Sequence, residues 1–265
     1  QQLVIDGVAS RLRSDSIRIT LNNFDLSPLS ALTHKWGYSA RSISNGYASI
    51  KSALNNPEIE AHIRLDSISV NDIKVPPQEI TSNWDFEANR ARVIIRDRSS
   101  LDTVIRGYYQ PQGTRYFAEA RMQDVKLSLL SPFLKDILSD IEGDVDVIAQ
   151  VRGQGRNAVL SGAARADSIG ATVDYTKVRY TAPYAELAIE NNHFIARDVI
   201  VYDPEHNSGR LSMDISLEHL SNITYDIEIE ANKMLVLDTG VKDNDLFYGH
   251  VYGSGSASFL GDKLG

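Results

Sequence analysis

"IEAHIRLDSISV", residues 59–70, decides how the rest of the chain is read. Ile59, Ala61, Ile63 and Leu65 alternate with Glu60, His62, Arg64 and Asp66. Successive side chains of a strand point to opposite faces, so this segment has one apolar face and one charged face. Apolar residues three and four apart would have indicated a helix instead. A strand buried on both faces would carry few charges, so the pattern points to an antiparallel sheet with one solvated side.

The same period recurs along the chain. "DVDVIAQV" places Val145, Val147, Ala149 and Val151 on one side, and "RLSMDISLEHL" does so with Leu211, Met213, Ile215 and Leu217. "NITYDIEIEA" continues it with Ile223, Tyr225, Ile227 and Ile229. Turn-forming stretches separate the strands: "NNP" at Asn55–Pro57, "VPPQ" at Val75–Gln78, "QPQG" at Gln110–Gly113 and "DPEHNSG" at Asp203–Gly209. Two segments read as short α-helices, near 28–38 and near 132–140. "LSPLSALTHKW" and "LSPFLKDILSD" each offer a serine N-cap followed by proline in the first turn. In the second, Phe133, Leu134, Ile137 and Leu138 form a stripe at helical spacing.

These features repeat at about a hundred residues. Ser27-Pro28 and Ser131-Pro132 precede Gly46 and Gly143, and each glycine opens a strand–turn–strand unit ending in Asp-Ser-Ile. Asp66-Ser67-Ile68 and Asp167-Ser168-Ile169 are 101 positions apart. A third copy starts at "NKMLVLD", with Asp238 in the cap position and Gly249 opening the strand. The expected organisation is a first repeat over 1–125, a second over 126–231 and the start of a third over 232–265, as in an internal stretch of a longer array.

Composition excludes several classes. Cysteine is absent, which removes disulfides and thiolate metal sites. That suits an oxidising periplasm and is equally compatible with the cytosol. The net charge is −8 with no basic stripe, so nucleic acid is not an expected partner. No apolar run approaches the roughly 18 residues of a membrane-spanning helix.

A sheet with one apolar face must cover it. A second sheet could do so, giving a β-sandwich, the alternative fold. The other solution is a mainly β, antiparallel, repetitive, curled sheet forming a groove, with two short α-helices; periodicity by itself favours the sandwich, and the groove becomes the expected class through the family resemblance of residues 232–262. Lipid acyl chains would then fill the lining. Each buried methylene contributes about 0.8 kcal/mol, so a sixteen-carbon chain gains on the order of 12 kcal/mol from an uninterrupted apolar wall.

"NKMLVLDTGVKDNDLFYGHVYGSGSASFLGD", residues 232–262, resembles the recurrent strand–loop–strand element in the C-terminal region of the TamB family, within the AsmA-like superfamily, most of all in its Bacteroidetes-type versions. Leu235–Asp238, Asp245–Gly249 and the Gly-Ser-rich strand to Gly261 carry the likeness, which covers about thirty residues; the helical segments after Ser27 and Ser131 depart from a pure strand ladder. The resemblance implies an inner-membrane-anchored protein that crosses the periplasm as a curved β-groove. It implies phospholipid acyl chains as cargo, moved toward the outer membrane, and an Omp85-type barrel protein as partner in outer-membrane assembly. It also implies that Val251 and Phe259 join the lining, with Tyr248, Gly253 and Gly255 shaping it. No catalytic residue, metal or cofactor is implied.

Chemistry is not expected elsewhere. The six histidines are scattered: His34, His62, His193, His206, His219 and His250. In "PEH" and "EHL" a carboxylate and an imidazole are strand neighbours on opposite faces, a poor metal site. "KDNDLFYG" lacks the glutamate that closes a calcium loop. "GQGRN" joins strands and does not open a helix, so it is no phosphate cradle. "RARVIIRDR", residues 90–98, could meet lipid headgroups or could form an outward charged face balanced by Asp85, Glu87 and Asp97. Trp36 and Trp84 suit an apolar–polar border or ordinary packing. The rivals to a conduit are a chaperone receiving barrel strands by β-augmentation and, more remotely, a carbohydrate-active enzyme, which would need paired inward carboxylates.

Overall fold

A computed structural model describes residues 1–32, 37–132, 134–135, 137–218, 222–242 and 248–262. Its strands are β1 (Gln2–Gly7), β2 (Ser16–Asp25), β3 (Ala40–Lys51), β4 (Glu58–Val70), β5 (Ile73–Lys74), β6 (Gln78–Asp85), β7 (Arg90–Asp97) and β8 (Thr103–Gln110). They continue as β9 (Arg115–Lys126), β10 (Leu138–Gln154), β11 (Asn157–Val173), β12 (Arg179–Glu190), β13 (His193–Tyr202), β14 (Ser208–Glu218), β15 (Asn222–Thr239) and β16 (Gly249–Gly261). The protein is mainly β, one large antiparallel sheet that is curled and unclosed. Strand order follows chain order, with β5 set aside on β4. Each strand pairs with its sequence neighbour, which needs only short connections and local register.

The chain divides into two compact units, 1–121 with 150–158, and 122–149 with 159–265. The repeat boundary expected at 125/126 lies at the end of β9, close to this division. The boundary expected at 231/232 falls inside β15, whose pairing with β16 continues through it, and the second unit runs on to Gly265.

The Ser-Pro segments form tighter turns than α-helices. Ser27–Leu32 is a 3-10 helix, and the Asp25 carboxylate accepts hydrogen bonds from the Ser27 N–H at 2.8 Å and its hydroxyl at 2.5 Å. The second 3-10 helix, Leu127–Leu130, precedes its Ser-Pro pair. Beyond it, Leu134 N–H bonds Ser131 carbonyl at 3.2 Å and Ile137 N–H bonds Leu134 carbonyl at 3.1 Å, both three residues apart. Strand β10 already begins at Leu138, inside the expected helix. Leu138 N–H also bonds the Leu134 carbonyl at 2.9 Å, a single four-residue closure, so the described part of this segment mixes 3-10 and α-type turns without a continued α-helix. Phe133, His34, Trp36, His219 and the Asp245–Phe247 part of the family-like element lie outside the described residues.

The strands are creased by bulges, and the crease device repeats. Asn23, in the left-handed region at φ 45°, donates its N–H to Asn45 Oδ1 at 2.8 Å. At 101 positions on, Asp124 (φ 53°) donates to Asp146 Oδ1 at 3.0 Å. Near the C-terminus Lys233 (φ 52°) donates to Ser254 Oγ at 2.8 Å. The bulge N–H that leaves the ladder is thus capped by a polar side chain of the next strand, as an otherwise unpaired donor requires. Ser67 (φ 52°) and Ser168 (φ 53°) are a second matching pair, in the Asp-Ser-Ile elements. Gly46, Gly143 and Gly249 also agree, at φ 135°, 121° and 128°. At Gly46 a Cβ would overlap the His62 carbonyl across the β3–β4 pair, so only glycine permits that approach.

Asn45→Ala is expected to destabilise the first unit by about 1 kcal/mol, the net worth of one capped N–H, while Asn45→Asp retains most of that. Urea denaturation followed by circular dichroism checks both variants.

Candidate functional site: an uncovered apolar face

In the first unit the register stacks apolar residues across neighbouring strands. Ile59 pairs with Ile50, Ala61 with Ala48 and Ile63 with Gly46. On the other side of β4, Ile63 faces Ile80, which faces Ile95, which faces Ile105. Toward the N-terminus Ala48 and Ile50 face Ile19 and Ile17 of β2. Leu65 sits beside Ser44 and Gln78, so the row ends in polar neighbours there. Ile59, Ala61, Ile63 and Leu65 are all half-buried.

In the second unit, Leu211, Met213, Ile215 and Leu217 pair with Ile229, Ile227, Tyr225 and Ile223. Ile227 then faces Phe259 and Ile229 faces Ala257, while Val251 pairs with Leu237 beyond a register shift. Phe259 and Val251 are 52% and 46% exposed. Gly162 approaches Ala149, which places the Val145, Val147 and Ala149 row against β11. Val151 falls in the first unit, so the row read from "DVDVIAQV" is divided between units.

The opposite face carries the charges. Tyr47 hydroxyl donates to Glu60 at 3.0 Å, and Arg106 reaches both Glu119 oxygens at 3.1 and 3.0 Å. Arg90 and Arg92 pair with Asp85 at 3.4 and 2.5 Å, and Arg98 pairs with Asp66. The arginines of "RARVIIRDR" with described partners therefore lie in ion pairs with carboxylates of their own sheet. The Ala88 N–H, with Arg92 and Arg90, holds the Asp85 carboxyl below the ordinary carboxylate range, against the opposing effect of burial.

All the described strands belong to one hydrogen-bonded sheet, so the two separate sheets of a β-sandwich do not occur among them.

Sequence periodicity missed the most buried part of the face. Ala182, Ala196 and Val199 form a cluster, with Ile169, Ala185, Leu187, Val201, Leu211 and Met213 packed against it. Ala196 and Val199 are three apart because Asp198, at φ 54°, bulges between them and caps its N–H on Ser212 Oγ at 3.1 Å. The legible signal was a change of phase: "ARDVIV" resumes alternation one residue late. Also unforeseen are Ser82 and Gln78 on the apolar rows; Ser82 Oγ and Gln78 Oε1 are buried without a hydrogen-bond partner.

A second unforeseen element is Asp203, 3% exposed at the β13–β14 turn. Its carboxylate accepts from Glu205 N–H at 2.9 Å, Asn207 N–H at 2.8 Å, Asn207 Nδ2 at 2.9 Å and Leu235 N–H at 2.7 Å. Burial pushes this carboxyl up, but the four donors together outweigh it and hold it below the usual range. Tyr180 hydroxyl donates to the Leu235 carbonyl at 2.9 Å, so both backbone groups of Leu235 are fixed where β15 shifts register.

Among the described residues no group of three or more histidine, aspartate or glutamate side chains could hold a metal. His62, His193 and His250 each meet one carboxylate, Glu79 at 3.4 Å, Asp214 at 2.9 Å and Asp238 at 2.8 Å. No described helix is long and apolar enough to cross a membrane. No family model, curated protein or solved structure matches the chain.

Proposed function

We propose that this chain is a periplasmic segment of an inner-membrane-anchored bridge, which holds phospholipid acyl chains on its apolar face during transport toward the outer membrane. The observation that carries the reading is the run of Ile, Val, Leu and Ala on one face of successive strands of a single sheet. An acyl chain lying on that face keeps the methylene contacts it has in a bilayer, so it slides without a large barrier. The polar crease positions keep their hydrogen bonds within the sheet and so do not compete for the cargo.

The rival reading is a chaperone-like module for outer-membrane barrel assembly with an Omp85-type partner, which would receive strands by β-augmentation.

Native mass spectrometry of protein purified from diderm membranes without detergent separates the two. Bound phospholipid, released on unfolding, is the expected result. Protein that carries no lipid and instead binds unfolded barrel segments would replace the conduit by the chaperone.

A further inference from the structure

At one end of the first unit three connections are knitted into a platform, residues 8–15, 52–57 and 86–89. Leu54 N–H donates to the Ser10 carbonyl at 3.0 Å, and Ser52 Oγ donates to the Arg11 carbonyl at 3.0 Å. Asn56 Nδ2 donates to Asn89 Oδ1 at 2.8 Å. Arg13 pairs with Glu58 at 2.5 Å and lies over the Phe86 ring at 5.2 Å. On this hydrogen-bonded base four large apolar side chains project into solvent: Val8 at 60% exposure, Leu12 at 63%, Leu54 at 64% and Phe86 at 66%.

The charges around them are sorted. The acids Glu58 and Asp85 are turned inward, their side chains 9% and 10% exposed, while their partners Arg13 and Arg92 stand out at 65% and 61%. Arg11 and Lys51 are exposed as well; the acids that remain are Glu87 and Asp6, both exposed, and Asp15, half-buried. Water-facing charge is therefore mostly cationic, on a chain whose net charge is −8.

We propose that this platform docks the first unit on an anionic phospholipid surface. Its apolar tips enter the boundary between headgroups and acyl chains, and Arg11, Arg13 and Lys51 meet the phosphates. Apolar tips give insertion energy and exposed cations select anionic lipid, the two signals that interfacial binding needs. This surface is separate from the apolar sheet face and stands without the conduit reading.

Flotation with phosphatidylcholine vesicles, with and without about a quarter phosphatidylglycerol, tests it against the triple variant Leu12→Ser, Leu54→Ser, Phe86→Ser. The unaltered chain is expected to float with the anionic vesicles, less in high salt, and the triple variant to lose about tenfold in partitioning. All three side chains are largely exposed, so circular dichroism should be unchanged, and lipid copurifying with the sheet face should be retained. Equal flotation of both proteins, no flotation of the unaltered chain, or no preference for anionic vesicles overturns the proposal. So does a self-associated species in sedimentation velocity that the substitutions dissociate, since the platform would then serve a second copy of the chain.

Discussion

Ile63→Asp is expected to abolish phospholipid capture while leaving the sheet assembled. Ile63 lies at the middle of an apolar row, between Gly46 and Ile80, and is half-buried. Without cargo, a carboxylate there keeps contact with water, and folding loses only part of an isoleucine's burial, about 1–3 kcal/mol. With an acyl chain over it the carboxylate must be desolvated or protonated, at a cost of several kcal/mol. That removes a large share of the gain expected from the whole chain of methylenes. Photocrosslinking to labelled phospholipid, together with far-ultraviolet circular dichroism, provides the measurement, and Ile63→Val should behave as the unaltered protein. A folded Asp variant that still crosslinks would place the cargo elsewhere. A variant that unfolds outright would mean a sealed interior.

Asp203→Asn is expected to have the largest effect on stability, about 3 kcal/mol in the second unit. The buried carboxylate is shared by four donors, two of them the N–H groups of Leu235 and Asn207. An amide presents one acceptor oxygen and turns an N–H₂ toward donors, so at least one buried N–H loses its partner. The effect depends on pH. The folded carboxyl titrates below its unfolded value of about 3.9, so its contribution is complete above that value. It is lost as pH falls through 3.9 toward the lower folded value. Denaturant unfolding at pH 6 and at pH 3 should therefore show a wide gap between the two proteins at the higher pH and a narrower one at the lower. A constant gap would mean that the charge on Asp203 is not what the four donors hold. Hydrogen exchange of the Leu235 amide, fast in the variant, localises the loss.

The alternation in residues 59–65, and again in 211–217 and 223–229, was sufficient to read the apolar rows, because a strand's two-residue period survives any tertiary arrangement. Cross-strand pairing of Ile59 with Ile50 and of Met213 with Ile227 follows once neighbouring strands pair in order. The face containing Ala182, Ala196 and Val199 was not readable in this way. Left-handed residues at Ser168 and Asp198 break the period, and nothing in Ser or Asp by itself announces a bulge. Asp203 looked like a turn residue, since its fourth donor, Leu235, lies 32 positions away. The Ser-Pro segments offered good helix starts, but their described residues form 3-10 turns and one four-residue closure, from Leu138 N–H to the Leu134 carbonyl.

Sequence alone determined that this protein is an antiparallel β structure with one apolar and one charged side, because alternating side chains allow no other burial. Whether that apolar side is closed by a second sheet or left bare was decided only by tertiary structure. A sandwich interior and an open wall call for the same residues on the same strands, and only the pairing of every strand with its chain neighbours in one unclosed sheet separates them.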